Sequence, residues 1–179
     1  MVSKISQSVY DQVYARLSDQ AGGLNATFMA NAANYNVDPN FVSIDFSPGS
    51  TTFFHGQVDF DDYDKSGLVR YPAACLYILE SLNSNLEKFH KFSGPVRCIF
   101  EVTLSWGQIR GGVNFEKYSN CLEDAVVDVI NRLSNQNWQP PVSYNGQIQS
   151  KRGPIGFGAG NFKQKVGFSM MFAVDTQDL

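Results

Sequence analysis

The chain has 179 residues, a length that fits one domain with a hydrophobic core of its own. Its net charge of −3 argues against a protein that binds duplex DNA through a basic face, because such binding depends on clustered Lys and Arg. Charged residues make up 17% of the chain, below the usual share of about 25%, whereas Phe occurs 14 times. This composition predicts either an aromatic-rich core or apolar surface that contacts another subunit.

The cysteines Cys75, Cys98 and Cys121 are odd in number and widely spaced, and each lies in an apolar or helical pattern. They are predicted to be small buried residues with reduced thiols. No Cys-x-x-Cys pair is present, so we expect no cysteine-based metal site. After the motifs considered below are weighed, we also expect no other metal and no cofactor. The N-terminus has no apolar signal segment, and no apolar run reaches the ~20 residues of a membrane helix. We therefore expect no membrane partner and a location in the cytosol or in a particle assembled there.

Two helices are predicted before the first strand. In the first, four apolar residues recur at every fourth position, a spacing typical of an amphipathic helix: Ile5, Val9, Val13 and Leu17. A short second helix is predicted over residues 26–33. The segment FVSIDF, residues 41–46, alternates apolar and polar residues and predicts a strand. Residues 47–71 have no clear period and predict a long loop or arm, a feature that usually has a function in a compact domain.

Strands and one long helix are predicted in the rest of the chain. Residues 73–79 form a short apolar run, residues 96–106 and 163–174 alternate clearly, and residues 142–149 alternate weakly. A helix is predicted over residues 115–133, and Asn120 with Glu123, which resemble a capping box, indicate a later start as the alternative. This order of elements predicts one domain, residues 1–179, with an α+β fold in which a mostly antiparallel sheet packs against two main helices.

The segment DFDDYDKSG, residues 59–67, places four aspartates in the predicted arm. Asp62, Asp64 and Ser66 match the first three ligand positions of a helix-loop-helix calcium site, and Gly67 matches its turn glycine. However, Ala73 stands where a bidentate Glu is needed. A group of catalytic carboxylates is a second hypothesis, with His55 as a base or metal ligand. Neither hypothesis accounts for the segment as simply as a solvated or partner-facing acidic loop.

The glycine-rich segment SKRGPIGFGAGNF lacks the Lys and Ser/Thr of a phosphate-binding loop and leads into a strand. It is predicted to be a hairpin tip with four basic residues at its edge and base: Lys151, Arg152, Lys163 and Lys165. An acidic arm and a basic tip would suit head-to-tail contacts between copies, which close into a ring or continue as a filament. Two unrelated solvated loops are the alternative.

The order of these elements resembles that of the tail terminator, or tail completion, proteins of tailed bacteriophages. An N-terminal helix precedes a sheet, and a strand is entered through RYP, residues 70–72, after a long loop. A long strand then leads to the helical segment CLEDAVVDVINRL, and the final strand follows the hairpin in GFGAGNFKQKVGFSMMFAV. The resemblance spans residues 9–174. The polar segment ESLNSNLEKFHKFSG departs from the pattern, because it is long for a simple hairpin.

The resemblance implies a structural virion protein that is not an enzyme. Such a subunit forms a hexameric ring at the head-proximal end of the tail tube, stops tube growth and lets the neck proteins dock. Its expected partners are other copies of itself, the tail tube protein and a neck or head-completion protein, and its contacts involve the sheet edge, the helices and the long loop. DNA would pass through without specific binding. The expected location is the tail or neck of the virion, assembled in the host cytoplasm.

On this interpretation, four carboxylates of the arm face the ring lumen or a partner and repel passing DNA phosphates: Asp59, Asp61, Asp62 and Asp64. Four aromatic residues would anchor the arm on a neighbouring subunit: Phe53, Phe54, Phe60 and Tyr63. The alternatives are another neck or head-tail joining ring protein, a tail tube subunit, or, from a different class, a small metal-dependent enzyme.

Overall fold

A computed structural model describes residues 2–60, 67–82, 92–107, 113–132, 138–158 and 160–176. The described residues contain three helices: α1 (Val2–Ser18), α2 (Leu24–Tyr35) and α3 (Val113–Asn131). They also contain six strands: β1 (Phe53–His55), β2 (Ala73–Ser81), β3 (Ser93–Trp106), β4 (Val142–Arg152), β5 (Gly156–Gly158) and β6 (Asn161–Asp175).

The six strands form one mixed sheet in the order β1-β2-β3-β6-β4, and β5 pairs with the start of β6. Only the pairing of β1 with β2 is parallel. The predicted α+β fold with a mostly antiparallel sheet is therefore confirmed. The strands β2 and β3, which include the two ends of the long polar segment, are antiparallel neighbours in the sheet.

The two longest strands follow the alternation that their sequences predict. In β3 and β6, Phe100 lies opposite Phe168, and Val102 lies opposite Val166. Because directly opposite residues of an antiparallel pair share a face, these four side chains point to one side of the sheet, where all are fully buried. This side, which α1, α2 and α3 cover, is called the helix face.

The helices complete the core of the helix face with apolar residues at helical spacing. The buried residues of α1 and α2 are Val9, Val13, Leu17, Leu24, Phe28 and Ala32, and those of α3 include Phe115, Leu122, Val126 and Val129. The predicted stripe of the first helix is thus confirmed at Val9, Val13 and Leu17, while the side chain of Ile5 lies outside the described residues. The polar sides of α2 and α3 also meet, where Asn31 donates a hydrogen bond to Asp128 at 3.1 Å and the hydroxyl of Tyr35 contacts Asp124.

The predicted strand at residues 41–46 is wrong, although the burial of its side chains alternates as expected. Val42, Ile44 and Phe46 are buried in the core, but this segment pairs with no strand of the described chain. Instead, the amide of Asn25 donates to the Ile44 carbonyl at 2.8 Å, and its oxygen accepts from the Ile44 N–H at 3.0 Å. One side chain thus satisfies the backbone groups that a neighbouring strand would otherwise bind.

The helix predicted from residue 115 begins two residues earlier, at Val113, so the alternative start at Asn120 is wrong. Asn120 and Glu123 lie in the middle of the helix, three residues apart and therefore on the same side. Both side chains bind Arg152 of β4 rather than the backbone of a first turn. The two residues that resemble a capping box instead bind Arg152 and so hold β4 against α3.

Candidate functional site

The predicted arm, residues 47–71, is partly built into the sheet. Residues 53–55 form β1, which pairs in parallel with residues 74–76 of β2. Between β1 and β2, Phe60 and Val69 pack on the side of the sheet opposite the helix face. This side is called the second face, and its exposed or half-buried members include Arg97, Glu101, Lys165 and Met171.

Two of the predicted inter-subunit anchors are buried inside their own subunit. Phe53 is 3% exposed and packs against Phe46 and Tyr14 in the main core. Phe60 is also 3% exposed and belongs to a small cluster on the second face with Val69, Ala73 and Cys75. Neither ring can reach a neighbour in this conformation, so the prediction that they anchor the arm on another subunit does not fit this burial.

The remaining members of the aromatic and acidic sets are only partly defined. Phe54 is half-buried and contacts Phe60 with ring centroids 5.4 Å apart. Asp59 is exposed. The other four predicted residues lie outside the described residues: Asp61, Asp62, Tyr63 and Asp64. The proposed lumen-facing or partner-facing role of the four aspartates therefore stays a prediction.

The four predicted basic residues do not form one patch, because they divide between the two faces of the sheet. Arg152 points to the helix face, where its guanidinium donates to both carboxylate oxygens of Glu123 at 2.7 and 2.8 Å and to Asn120 at 2.5 Å. The paired carboxylate raises the pKa of Arg152. The bidentate pair of Arg152 with Glu123 therefore joins β4 to α3.

The three lysines lie on the second face. Lys165 approaches Glu101 with Nζ 3.6 Å from the carboxylate, and Lys163 is 9% exposed with Nζ 4.8 Å from the centroid of the Tyr71 ring. Lys151 is exposed. Strand alternation explains the division, since Lys151 and Arg152 are adjacent whereas Lys163 and Lys165 are two residues apart.

Glu101 connects several polar groups on the second face. Its carboxylate accepts from the Cys75 thiol at a sulfur–oxygen distance of 3.7 Å and faces Lys165. Burial, and then the charge of Glu101, raise the pKa of Cys75 to about 12 and that of Tyr77 to about 12. Both groups stay protonated at neutral pH, so Cys75 is not a thiolate nucleophile. The sequence signal for this cluster was the carboxylate of Glu101 on the side of β3 opposite its buried apolar residues.

The other two cysteines are equally inert. Cys98 and Cys121 are fully buried and not in disulfides. Burial raises the pKa of Cys98, and it raises that of Cys121 to about 11. The prediction that all three cysteines are small buried residues is confirmed.

His55 lies beside aromatic residues of α1. The hydroxyl of Tyr10 contacts its Nδ1, and the rings of Tyr14 and Phe53 lie 5.6 and 5.0 Å from it between centroids. Desolvation by burial raises the pKa of Tyr10. Within the described residues, no three or more His, Cys, Asp or Glu side chains are grouped so that they could hold a metal ion.

Two apolar surface features were not predicted from the sequence. The hairpin tip carries Ile155, 41% exposed, and Phe157, 67% exposed. At the other end of the sheet, a groove of about 510 Å³ lies between the starts of β3 and β4 and the end of β6. Its lining includes Pro95, Pro141 and Met171. The sequence signal for the tip was Ile155 and Phe157 among glycines, but the prediction for this segment was based on its basic residues.

None of the helices in the described part of the chain is long and apolar enough to cross a membrane. A comparison of the sequence with models of known protein families gave no match, and a comparison with curated proteins gave no significant match. The fold and surface of the chain are therefore the basis for inferring its function.

Proposed function

We propose that this chain is a structural virion protein that forms a six-membered ring, ends the phage tail tube and joins it to the neck. The observation that carries the proposal is the order of elements. Two helices precede the sheet, β2 is entered after a long segment, and the long strand β3 leads to α3. The last strand, β6, follows a hairpin rich in glycine. This is the order expected from the resemblance to tail terminator proteins.

The sheet has edges and a face on which subunits could meet. Strand β4 lies at one edge and pairs on one side with β6, and its exposed residues are mostly uncharged: Ser143, Asn145, Gly146, Gln147, Gln149, Ser150 and Lys151. An edge of this kind presents backbone donors and acceptors that can pair with another chain. Because the edges formed by β1 and β4 differ, a contact between them is heterologous and can close into a ring.

The distribution of charge is consistent with a ring through which DNA slides. The chain carries a net charge of −3, and Arg152 and Lys165 are paired with carboxylates of their own subunit. Paired cations attract phosphates less than free ones, so these residues add little to any DNA-binding groove. In this proposal, the four aspartates of the arm line the lumen or face a partner and add repulsion.

The shape of the assembly tests the proposal against its nearest alternatives. Light scattering of the purified protein over a range of concentrations, with negative-stain images of the same samples, should show closed six-fold rings that do not elongate. Open tubes would instead indicate a tail tube subunit. If the protein stays monomeric, it should still cap tubes grown from the tube protein, and failure to cap them would contradict the proposal.

Replacing the four aspartates tests the role of the arm separately. In a phage that carries Asn at positions 59, 61, 62 and 64, rings should form, but DNA ejection should slow as repulsion from the lumen wall is lost. A matched control carries Asn at Asp11 and Asp19 of the N-terminal region instead. Unchanged assembly and ejection in the arm variant would remove the basis of this role.

A further inference from the structure

The edge strand β4 contains a bulge at residues 145–147. Tyr144, just before the bulge, lies opposite Phe172 of β6. Ile148, just after it, lies opposite Met170. Three residues of β4 therefore stand against a single residue of β6, and none of the three has a partner in the register of the two strands. All three are exposed, so the bulge is open to solvent.

The bulge contains the pair Asn145–Gly146, and Asn145 is the only asparagine in the chain that a glycine follows. Gly146 has a φ of +83°, a left-handed conformation that glycine adopts without strain. Apart from its chain neighbours, no atom of the described residues lies within 4 Å of the position that a β-carbon would take there. The backbone nitrogen of Gly146 is thus next to the Asn145 side chain, with no β-carbon to obstruct an approach between them.

A hydrogen bond holds the side chain of Asn145 against the backbone that follows it. The Gln147 N–H donates to Asn145 Oδ1 at 3.1 Å. Because this bond spans Gly146, it keeps the side-chain amide folded back over the Gly146 peptide. A donor on Oδ1 also stabilises the negative charge that develops on this oxygen when a nucleophile adds to Cγ. The bulge therefore both positions and activates the side-chain carbonyl.

We propose that Asn145 is a site of spontaneous deamidation. The Gly146 nitrogen attacks Cγ of Asn145, the new bond between nitrogen and Cγ closes a succinimide ring, and the bond between Cγ and Nδ2 breaks. Ammonia leaves with the proton of the Gly146 N–H. Water then opens the ring at either carbonyl, which leaves aspartate or isoaspartate in place of Asn145. Because the reacting groups belong to adjacent residues, the first step is intramolecular and the whole reaction consumes only water.

Deamidation would change the chemistry of the β4 edge. Strand β4 contains no acidic residue, and the product adds a carboxylate to its exposed bulge. Isoaspartate also lengthens the backbone by one carbon, which displaces the donors and acceptors that follow it. In the proposed ring, subunits meet through this edge, so the effect on assembly rests on that proposal. There, a modified subunit would associate more weakly than a fresh one.

Mass spectrometry of peptides from the folded protein, sampled during storage at mildly alkaline pH, tests the modification. The peptide that contains Asn145 should gain the mass of deamidation, and enzymatic methylation should detect isoaspartate in it. Asn34 and Asn36 are internal controls, since both are exposed but neither precedes a glycine. Conversion of Asn145 no faster than that of these two residues would overturn the proposal.

The variant Asn145→Gln assigns the signal to this residue. Its longer side chain can react with the next backbone nitrogen only through a larger ring, so the isoaspartate signal should be lost. The fold should tolerate the change because residue 145 is exposed, and thermal unfolding verifies this. An isoaspartate signal of wild-type size in the folded variant would mean that another residue is the source.

The variant Asn145→Asp reproduces one product and tests the effect on assembly. Light scattering measures the dissociation constant for self-association or, if the protein stays monomeric, electron microscopy measures the concentration needed to cap tubes. Either value should rise at least about tenfold, because a carboxylate that is desolvated without a partner weakens a contact. Asn34→Asp makes the same charge change on α2 and should leave the value unchanged. Equal values for Asn145→Asp and the wild type would rule out the effect on assembly.

The outcomes separate this inference from the ring itself. If the wild type neither forms rings nor caps tubes, the ring proposal is wrong, and the mass spectra still decide whether Asn145 deamidates. If the wild type and Asn145→Asp form the same rings at the same concentration, the ring proposal stands and its subunits do not meet through the bulge.

Discussion

The helix face and the second face of the sheet are built from alternate residues of the same strands, yet they differ in kind. The helix face is one continuous apolar core, with Phe100 and Phe168 fully buried at its centre. On the second face, a small apolar cluster around Phe60 lies beside a carboxylate and lysines. The difference indicates that the helix face contributes most of the apolar burial that holds the subunit together.

The largest difference in stability between the two faces is expected from substitutions at two adjacent residues of β6. Phe168→Ala removes a fully buried ring from the helix face and should lower the free energy of unfolding by about 3–5 kcal/mol. Ser169→Ala, its neighbour on the second face, should change it by less than about 0.5 kcal/mol. Urea denaturation of both variants measures the difference. Similar losses would show that the two faces contribute equally to stability.

The second test concerns the segment that is buried without strand pairing. Asn25→Ala removes both hydrogen bonds to Ile44 and leaves backbone groups without partners, so it should cost about 1–3 kcal/mol. Asn34→Ala, at an exposed position of the same helix, corrects for the change in helix propensity. If the two variants unfold at the same urea concentration, the side chain does not support this segment.

The third test separates two neighbouring cations on opposite faces. Arg152→Ala breaks the bidentate pair with Glu123 and the bond to Asn120, and should cost about 1–2 kcal/mol because the pair is partly buried. Lys151→Ala should cost less than about 0.5 kcal/mol. Thermal unfolding at low and high salt measures both. Equal small effects would mean that the pair does not hold β4 on α3.

The smallest effect is expected from a thiol reagent on the native protein. At pH 8 the solution is well below the raised pKa values of Cys75 and Cys121, about 12 and about 11, so these thiols are protonated as well as buried. Mass spectrometry should find no alkylated cysteine in the folded protein and three in urea. Rapid labelling of a native thiol would show that one of the faces opens.

The sequence correctly predicted the strands in which alternating apolar residues coincide with pairing to a neighbouring strand. Strands β3 and β6 alternate because one side of each faces the core, and both are long enough for the period to be clear. Residues 41–46 alternate in the same way, but alternation reports burial of an extended chain and not the presence of a neighbouring strand. The partner of that backbone is Asn25, whose contact depends on tertiary structure.

The charged and aromatic candidates were harder to predict for a related reason. Because Lys151, Arg152, Lys163 and Lys165 lie close together in the sequence, they were predicted to form one basic tip. Strand alternation and long-range partners instead divide them between the two faces of the sheet. Likewise, Phe53 and Phe60 lie in a segment without periodicity, so nothing local indicated that each packs inside its own subunit. Local patterns cannot identify contacts between residues far apart in the chain.

In the proposed ring, subunits meet through the β4 edge of the sheet, while the helix face stays internal. Hydrogen exchange of the protein at low and at high concentration tests this claim most directly. Assembly should slow exchange in residues 142–152, which form this edge, and leave α2 and α3 unchanged. Protection confined to α2 and α3, or the same exchange at all concentrations, would contradict it.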